Sequence, residues 1–242
     1  MQEAIIKLRK LPREKVGAVV AAAGNSRRMG GVDKIFADLA GKPVLAHVLE
    51  VFEKCGAVDQ VVVVLNEVSL ERGREVVKEG RFHKVAQVCG GGERRQDSVA
   101  EGLKGLGGCH WVVIHDGARP CITPDLIEQG LEEASQTGAA IAAVPVKETV
   151  KIVEAEGTIR NTPQRENLWM AQTPQVFRFD IIMEAYRQAK GEVTDDAALV
   201  EALGYKVRVY MGSYDNIKIT TLEDLALAEI ILRRRHEGWH RL

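Results

Sequence analysis

Nowhere in its 242 residues does the chain hold an uninterrupted apolar segment approaching the ~18 residues needed to span a bilayer as a helix. It also lacks charge of one sign: 33 lysines and arginines against 34 aspartates and glutamates leave a formal net charge of -1. Nothing in that balance favours a nucleic-acid backbone or an acidic membrane as partner, so any anion must be bound by a local cluster. The four cysteines, Cys55, Cys89, Cys109 and Cys121, form no CxxC pair and are joined by no histidine pattern. They are expected to be reduced, mostly buried thiols of a cytoplasmic protein. The opening MQEAIIKLRKLPREK carries acidic residues and only a short apolar patch. It therefore reads not as an export signal but as a local extension over residues 1–15, or as a translation-start ambiguity. Two familiar phosphate-loop spacings, GxxxxGK[ST] and GxGxxG, are missing, and so is any Ser-His-Asp or Cys-His constellation.

What is present centres on Val16 to Lys34, VGAVVAAAGNSRRMGGVDK. A valine- and alanine-rich run empties into a loop with Gly24, Gly30 and Gly31, the adjacent Arg27 and Arg28, and then Lys34. A buried strand opening into a small, flexible, cationic loop suits phosphate. Glycine lets the backbone approach an anion, free N–H groups point inward, and long cations neutralise the remaining charge. Taken alone the loop is equally open to being a basic surface turn.

The pattern repeats along the chain. A helix is expected from Pro43 through Phe52, a strand covered on both faces at Gln60 to Leu65, and a helix over Leu70 to Lys78. A short strand at Lys84 to Val88 ends in Gly90, Gly91, Gly92, Glu93, Arg94 and Arg95, and Asp97 or Ser98 is expected to cap a helix through Leu106. Trp111 to Ile114 is a third strand, ending in His115, Asp116, Gly117, Ala118, Arg119 and Pro120. In an open parallel sheet ligands bind beyond the carboxyl ends of the strands, so the three loops belong to one crevice. Beyond a helix at Pro124 to Gln136 and a strand at Gly138 to Val146, the polar stretch Lys147 to Asn167 can bury little against its own sheet. It reads as a protruding arm, a lid or a subunit contact, with a strand-like piece at Thr149 to Val153. Gln172 to Phe177 returns the chain. A helix from Asp180 to Ala189, one capped by Thr194 and reaching Leu203, a strand at Tyr205 to Tyr210 and a helix from Leu222 to Arg234 complete it. With 45% hydrophobic residues and no repeat or linker, one domain over residues 16–242 with an arm at about 147–167 is the simplest account.

Six motifs in order carry a resemblance over nearly the whole of Val16 to Leu232: AAAGNSRRMG, GGGERRQDSV, HDGARP, TPQ, TDDAALVE and DNIKIT. The chain resembles the 2-C-methyl-D-erythritol 4-phosphate cytidylyltransferase family. That implies an α/β fold: a single Rossmann-like nucleotidyltransferase domain, its mainly parallel twisted sheet flanked by helices, with a protruding β-arm. The implied reaction is attack by a sugar-alcohol phosphate on the α-phosphorus of CTP, releasing pyrophosphate and serving non-mevalonate isoprenoid biosynthesis. A phosphate monoester with a second pKa of about 6 is already largely dianionic at neutral pH. It therefore needs no general base. It needs charge neutralisation, from cations and a divalent metal such as Mg²⁺.

By resemblance Arg28 and Lys34 grip the triphosphate and Lys218 steadies the α-phosphate region. Ala22, Ala23 and Gly24 meet the nucleotide through the backbone, and Gly92, Glu93 and Ser98 line the base and ribose. Asp116 and Asp215 are candidates for the Mg²⁺ region, each otherwise a strand-end cap. Arg119, Thr194 and Asp215 belong with the acceptor, to which arms of a homodimer add Thr149 and Arg165 of the partner subunit. His115 reads as a strand-end structural residue and His47 as uninvolved. A ribitol 5-phosphate cytidylyltransferase, a sugar-nucleotide pyrophosphorylase for another base and a non-catalytic CTP-binding regulator remain alternatives that the nucleotide loops alone do not separate.

Overall fold

Valine-rich runs form the strands, and amphipathic segments between them form the helices. In the computed structural model, which describes residues 14–24 and 33–236, β1 (Val16–Ala21) leads through β2 (Asp38–Leu39) and β3 (Lys42–Pro43) to α1 (Val44–Lys54). There follow β4 (Gln60–Leu65), α2 (Leu70–Gly80), β5 (Val85–Gly90), α3 (Arg95–Lys104), β6 (Trp111–Asp116), α4 (Pro124–Thr137) and β7 (Ala139–Pro145). The rest comprises β8 (Ile152–Val153), β9 (Ile159–Asn161), β10 (Trp169–Arg178), α5 (Phe179–Gln188), α6 (Asp196–Ala202), β11 (Arg208–Met211) and α7 (Leu222–His236).

Among the described residues the main sheet has seven strands in the order β11-β7-β10-β6-β1-β4-β5. Only β10 runs against its neighbours, β6 and β7. Because β1 pairs in parallel with both β4 and β6, Ala21 stands level with Val64 and with Asp116, and Leu65 stands level with Gly90. The carboxyl ends of four strands therefore open on one rim, where an α/β sheet binds its ligands.

Both faces of the sheet are covered, which explains why QVVVVL carries no polar alternation. Ala18, Val20, Val61 and Val63 face Leu45, Leu49 and Phe52 of α1 and Ile127 of α4. On the other side Val19, Val62 and Val64 meet Val99 and Leu103 of α3, with Phe177, Ile181 and Leu199 beyond. Each fully buried large side chain contributes roughly 1.5–3 kcal/mol. Helix α4 has its expected punctuation: the Thr123 hydroxyl accepts from the Leu126 N–H at 3.4 Å, Pro124 opens the first turn, and Gly138 ends it at φ +89°. The four thiols are free, with Cys55, Cys109 and Cys121 buried and Cys89 half-buried. Among the described residues no helix is long and apolar enough to cross a membrane.

Several boundaries differ from expectation. Helix α3 begins at Arg95 instead of after Asp97, because Asp97 sits inside the first turn and its carboxylate reaches back to accept from the Arg94 N–H at 3.2 Å. Helix α6 is capped by Asp195, not Thr194: its Oδ1 accepts from the Ala198 N–H at 3.1 Å. Strand β11 starts at Arg208, opposite Ala140, where β7 offers its first partners. The strand expected at Thr149 to Val153 shrinks to β8, paired only with β9, and residues 147–162 are all exposed.

Gly102 decides how closely α3 approaches the sheet, since a Cβ there would stand 2.5 Å from Val19 Cγ1 and 2.8 Å from Val64 Cγ2. Gly102→Ala gains at most ~1 kcal/mol of helix propensity and loses ~1–3 kcal/mol to overpacking. Urea unfolding should show a net loss of about 1 kcal/mol at unchanged m-value; a stabilised variant would mean that α3 can move outward freely.

Candidate active site

Four strand ends, those of β1, β4, β5 and β6, are fastened to one another before any ligand is considered. The Ala22 N–H donates to Val64 O at 2.8 Å, the Gly91 N–H to Leu65 O at 2.7 Å, and the Gly117 N–H to Ala21 O at 2.9 Å. The loops leaving β1 and β5 touch: a Cβ on Gly91 would lie 2.5 Å from Ser98 Oγ and 2.7 Å from the Ala23 methyl. Only a residue without a side chain fits there. Between these loops, the end of β6 and Lys218 lies a cavity of about 140 Å³. Ala22, Ala23, Gly24, Lys34, Gly92, Glu93, Ser98, Asp116 and Lys218 line it, all of them residues singled out from the sequence, together with Arg95.

A second cavity of about 230 Å³ adjoins the first. Arg119, Gln172, Thr173 and Thr194 line it, and it shares Arg95, Asp116 and Lys218 with its neighbour. The shared wall is an ionic cluster. Asp116 Oδ1 accepts from Arg95 Nε at 3.0 Å, and Oδ2 pairs with Lys218 Nζ at 2.8 Å and faces Arg119 Nε at 3.6 Å. Burial alone would raise the Asp116 pKa, but Arg95, Lys218 and Arg119 outweigh it and hold the carboxyl ionised, well below the usual range. For Arg119 burial dominates and lowers its pKa despite Asp116, while Arg95 adds like-charge repulsion. At Arg95 the order reverses: Asp196 and Asp116 overcome burial and raise it.

His115 backs this cluster from within the core. The Asp116 N–H donates to Thr173 Oγ1 at 3.0 Å, so that hydroxyl turns its own proton to His115 Nδ1, also at 3.0 Å, and His115 Nε2 donates to Arg119 O at 3.2 Å. Both ring nitrogens are thereby committed in the neutral form. Burial is the chief cause that lowers the His115 pKa to about 4, opposed by the Asp116 charge and by the hydrogen bond to Arg119 O, and assisted by the positive charges of Arg119 and Arg95. The expected structural role fits; His47, on α1, pairs with Leu39 O at 2.6 Å.

Other expected residues stand elsewhere. Asp215 lines neither cavity, and its carboxylate pairs with Arg234 of α7 at 2.5 Å. Thr149 and Arg165 are exposed on this chain, and Arg165 Nη1 donates to Lys147 O at 3.0 Å. Arg28, like Arg27, lies outside the described residues. Among the described residues no cluster of three or more His, Cys, Asp or Glu side chains can hold a metal. Asp116 is the buried carboxylate at the cavities, and its four lone-pair sites are not exhausted by its cations.

Sequence reasoning missed Arg95, Gln172 and Thr173. For Arg95 a signal existed, since successive residues at a helix start point about 100° apart and only one of two arginines can face inward. Arg94 turns out to Asp97 at 2.7 Å, leaving Arg95 inside.

A family model for 2-C-methyl-D-erythritol 4-phosphate cytidylyltransferase (IspD) matches residues 16–234. The 2-C-methyl-D-erythritol 4-phosphate cytidylyltransferase of Dehalococcoides mccartyi (strain ATCC BAA-2266 / KCTC 15142 / 195) is 56% identical over 221 residues, which cover 91% of this chain and 97% of that protein. Its counterpart in Alkaliphilus oremlandii (strain OhILAs) is 44% identical over 230 residues, covering 93% and 98%. Among solved structures, the 4-diphosphocytidyl-2C-methyl-D-erythritol synthase of Anaerococcus prevotii DSM 20548 superposes with a TM-score of 0.81 at 29% identity, covering 91% of this chain and 97% of that one.

The His115 geometry carries a pH signature. Above pH 6.5 the ring is neutral in folded and unfolded chains; between 6.5 and about 4 only the unfolded chain takes up the proton, so stability falls as pH drops through that window. Between pH 7.5 and 5, His115→Asn should narrow its stability gap to the parent by about 2 kcal/mol in paired urea titrations. A gap that stays constant would mean the ring is protonated as readily inside as outside.

Proposed function

The chain belongs to the 2-C-methyl-D-erythritol 4-phosphate cytidylyltransferase family, and we propose that it transfers the cytidylyl group of CTP to 2-C-methyl-D-erythritol 4-phosphate, giving CDP-methylerythritol and pyrophosphate. The observation that carries this reading is the pair of cavities joined at Arg95, Asp116 and Lys218. One is walled by small residues that admit a nucleotide, and the other is lined by the Arg119 guanidinium beside Thr194. An acceptor phosphate in the second reaches the α-phosphorus of a nucleotide in the first across the shared wall.

The acceptor oxygen forms the new bond to the α-phosphorus while the bond to the bridging oxygen of the leaving pyrophosphate breaks, and no proton need be removed from a dianionic nucleophile. His115 is engaged at both nitrogens and offers no base. What the site supplies is fixed positive charge where negative charge accumulates. Lys218 stands at the junction and Lys34 at the nucleotide end, with Arg28 assigned beside it by family resemblance. Arg119 suits a phosphate monoester that a planar fork can grip.

Mg²⁺ completes the reading as cofactor. Such an ion would lean on substrate phosphates and one or two carboxylates, and Asp116 is the residue that would hold it here. When bound it would neutralise charge on the triphosphate. A homodimer is proposed because Val150, Ile152, Val153 and Ile159 are exposed apolar side chains on the segment at 147–167, which as an arm would bring Thr149 and Arg165 to the acceptor cavity of a second copy. Catalysis in the cytoplasm is the setting proposed for four free thiols.

Pyrophosphate release from CTP with Mg²⁺ tests the reading. Methylerythritol phosphate should support it, ribitol 5-phosphate much less, and CTP alone not at all. Lys34→Ala and Lys218→Ala should keep the fold by circular dichroism yet lose about 10²-fold or more in turnover, the scale on which removing one stabilising donor acts. Faster turnover with ribitol 5-phosphate would reverse the substrate assignment, and near-parental rates in both variants would remove the cations from the mechanism.

A further inference from the structure

Arg95 is the first residue of α3, and its side chain is only 27% exposed. Its guanidinium is divided between two carboxylates on different elements: Nε on Asp116 Oδ1 at 3.0 Å and Nη2 on Asp196 Oδ2 at 2.8 Å. Asp116 closes β6, whereas Asp196 opens α6 directly after Thr194 and Asp195, which line the acceptor cavity. Asp196 has no exposed surface, and its other oxygen takes the Tyr186 hydroxyl at 2.5 Å. The next residue repeats the tie: Gln96 Nε2 donates to Gly191 O at 3.1 Å, and its Oε1 accepts from the Val193 N–H at 3.0 Å. The start of α3 therefore pins the approach to Thr194, while Gly92, Glu93 and Arg94 just before it line the nucleotide cavity.

The geometry points to Arg95 as a positioning residue that fixes the distance between nucleotide and acceptor by holding Asp116 and the Thr194–Asp196 wall in one register. This role rests on the cytidylyl transfer proposed above. With Oδ1 of Asp116 occupied by Arg95, Lys218 shares only Oδ2 and keeps its remaining protons for phosphate. Without Arg95, Asp116 draws Lys218 and Arg119 onto itself, and Asp196 is left with the Tyr186 hydroxyl alone. A lysine cannot replace it, because a point charge reaches one carboxylate where the planar fork reaches two.

The test compares Arg95→Met, Arg95→Lys and the double variant Arg95→Met/Asp196→Asn, with kcat measured per folded protein below the lowest melting midpoint. Arg95→Met should lose stability and about 10²-fold in kcat, with the CTP KM within about threefold of the parent. Adding Asp196→Asn removes the unpaired buried carboxylate, so the melting midpoint should recover while kcat stays low. Arg95→Lys, which keeps the charge, covers the case in which the methionine variant does not fold; it should lose about tenfold or more in kcat. Recovery of kcat together with stability in the double variant, or parental kcat in Arg95→Lys, would reduce Arg95 to a charge balancer and overturn the proposal. If the parent itself released no pyrophosphate, the functional reading would fall instead; active parent and equally active variants would remove only the positioning role.

Discussion

A single buried carboxylate, Asp116, organises the site. Placed at the end of a central strand with 6% exposure, it cannot remain charged there without partners, and it has three: Arg95, Lys218 and Arg119. Those cations are thereby held close together in spite of their mutual repulsion. Together with Asp196, the cluster carries three positive against two negative charges, a residual field suited to an approaching phosphate. The carboxylate is the scaffold on which that positive charge is assembled.

The sheet makes that arrangement possible. Parallel pairing of β1 with β4 and β6 brings their ends level, and the reversed β10 contributes Gln172 and Thr173 as it crosses the same rim. Thr173 then connects the Asp116 backbone to His115, so the hydrogen bonds behind the site lock a neutral imidazole beneath charged groups. The first cavity is shaped by missing side chains, as at Gly91, and the second by side chains that converge from the end of β6, from β10, from the segment before α6 and from the segment before α7.

The layers of this fold were legible in the sequence because both-face burial leaves unbroken valine runs and one-face burial leaves amphipathic ones. So was the meeting of the strand ends, since parallel pairing of such runs brings their carboxyl ends to one rim. Helix starts were less legible: Asp97 and Thr194 both look like caps, yet α6 is capped one residue later, by Asp195, and α3 starts three residues earlier than a cap at Asp97 would place it, with Asp97 inside its first turn. The role of Arg95 was hidden because its partners, Asp116 and Asp196, lie far from it in the chain. The pairing of Asp215 was hidden in the same way: it sits in a motif with Lys218, with only two residues between them, but its carboxylate pairs with Arg234, which α7 brings from far along the chain.

The central claim is that two adjoining cavities share one charged wall and hold the two reactants on either side of it. A crystal structure with a non-hydrolysable CTP analogue, Mg²⁺ and the acceptor phosphate tests it most directly. The account predicts the α-phosphorus beside Lys218, with the acceptor phosphate against Arg119 and Thr194 on the far side of Asp116. An acceptor bound remote from that wall, or a triphosphate directed away from Lys218, would contradict it.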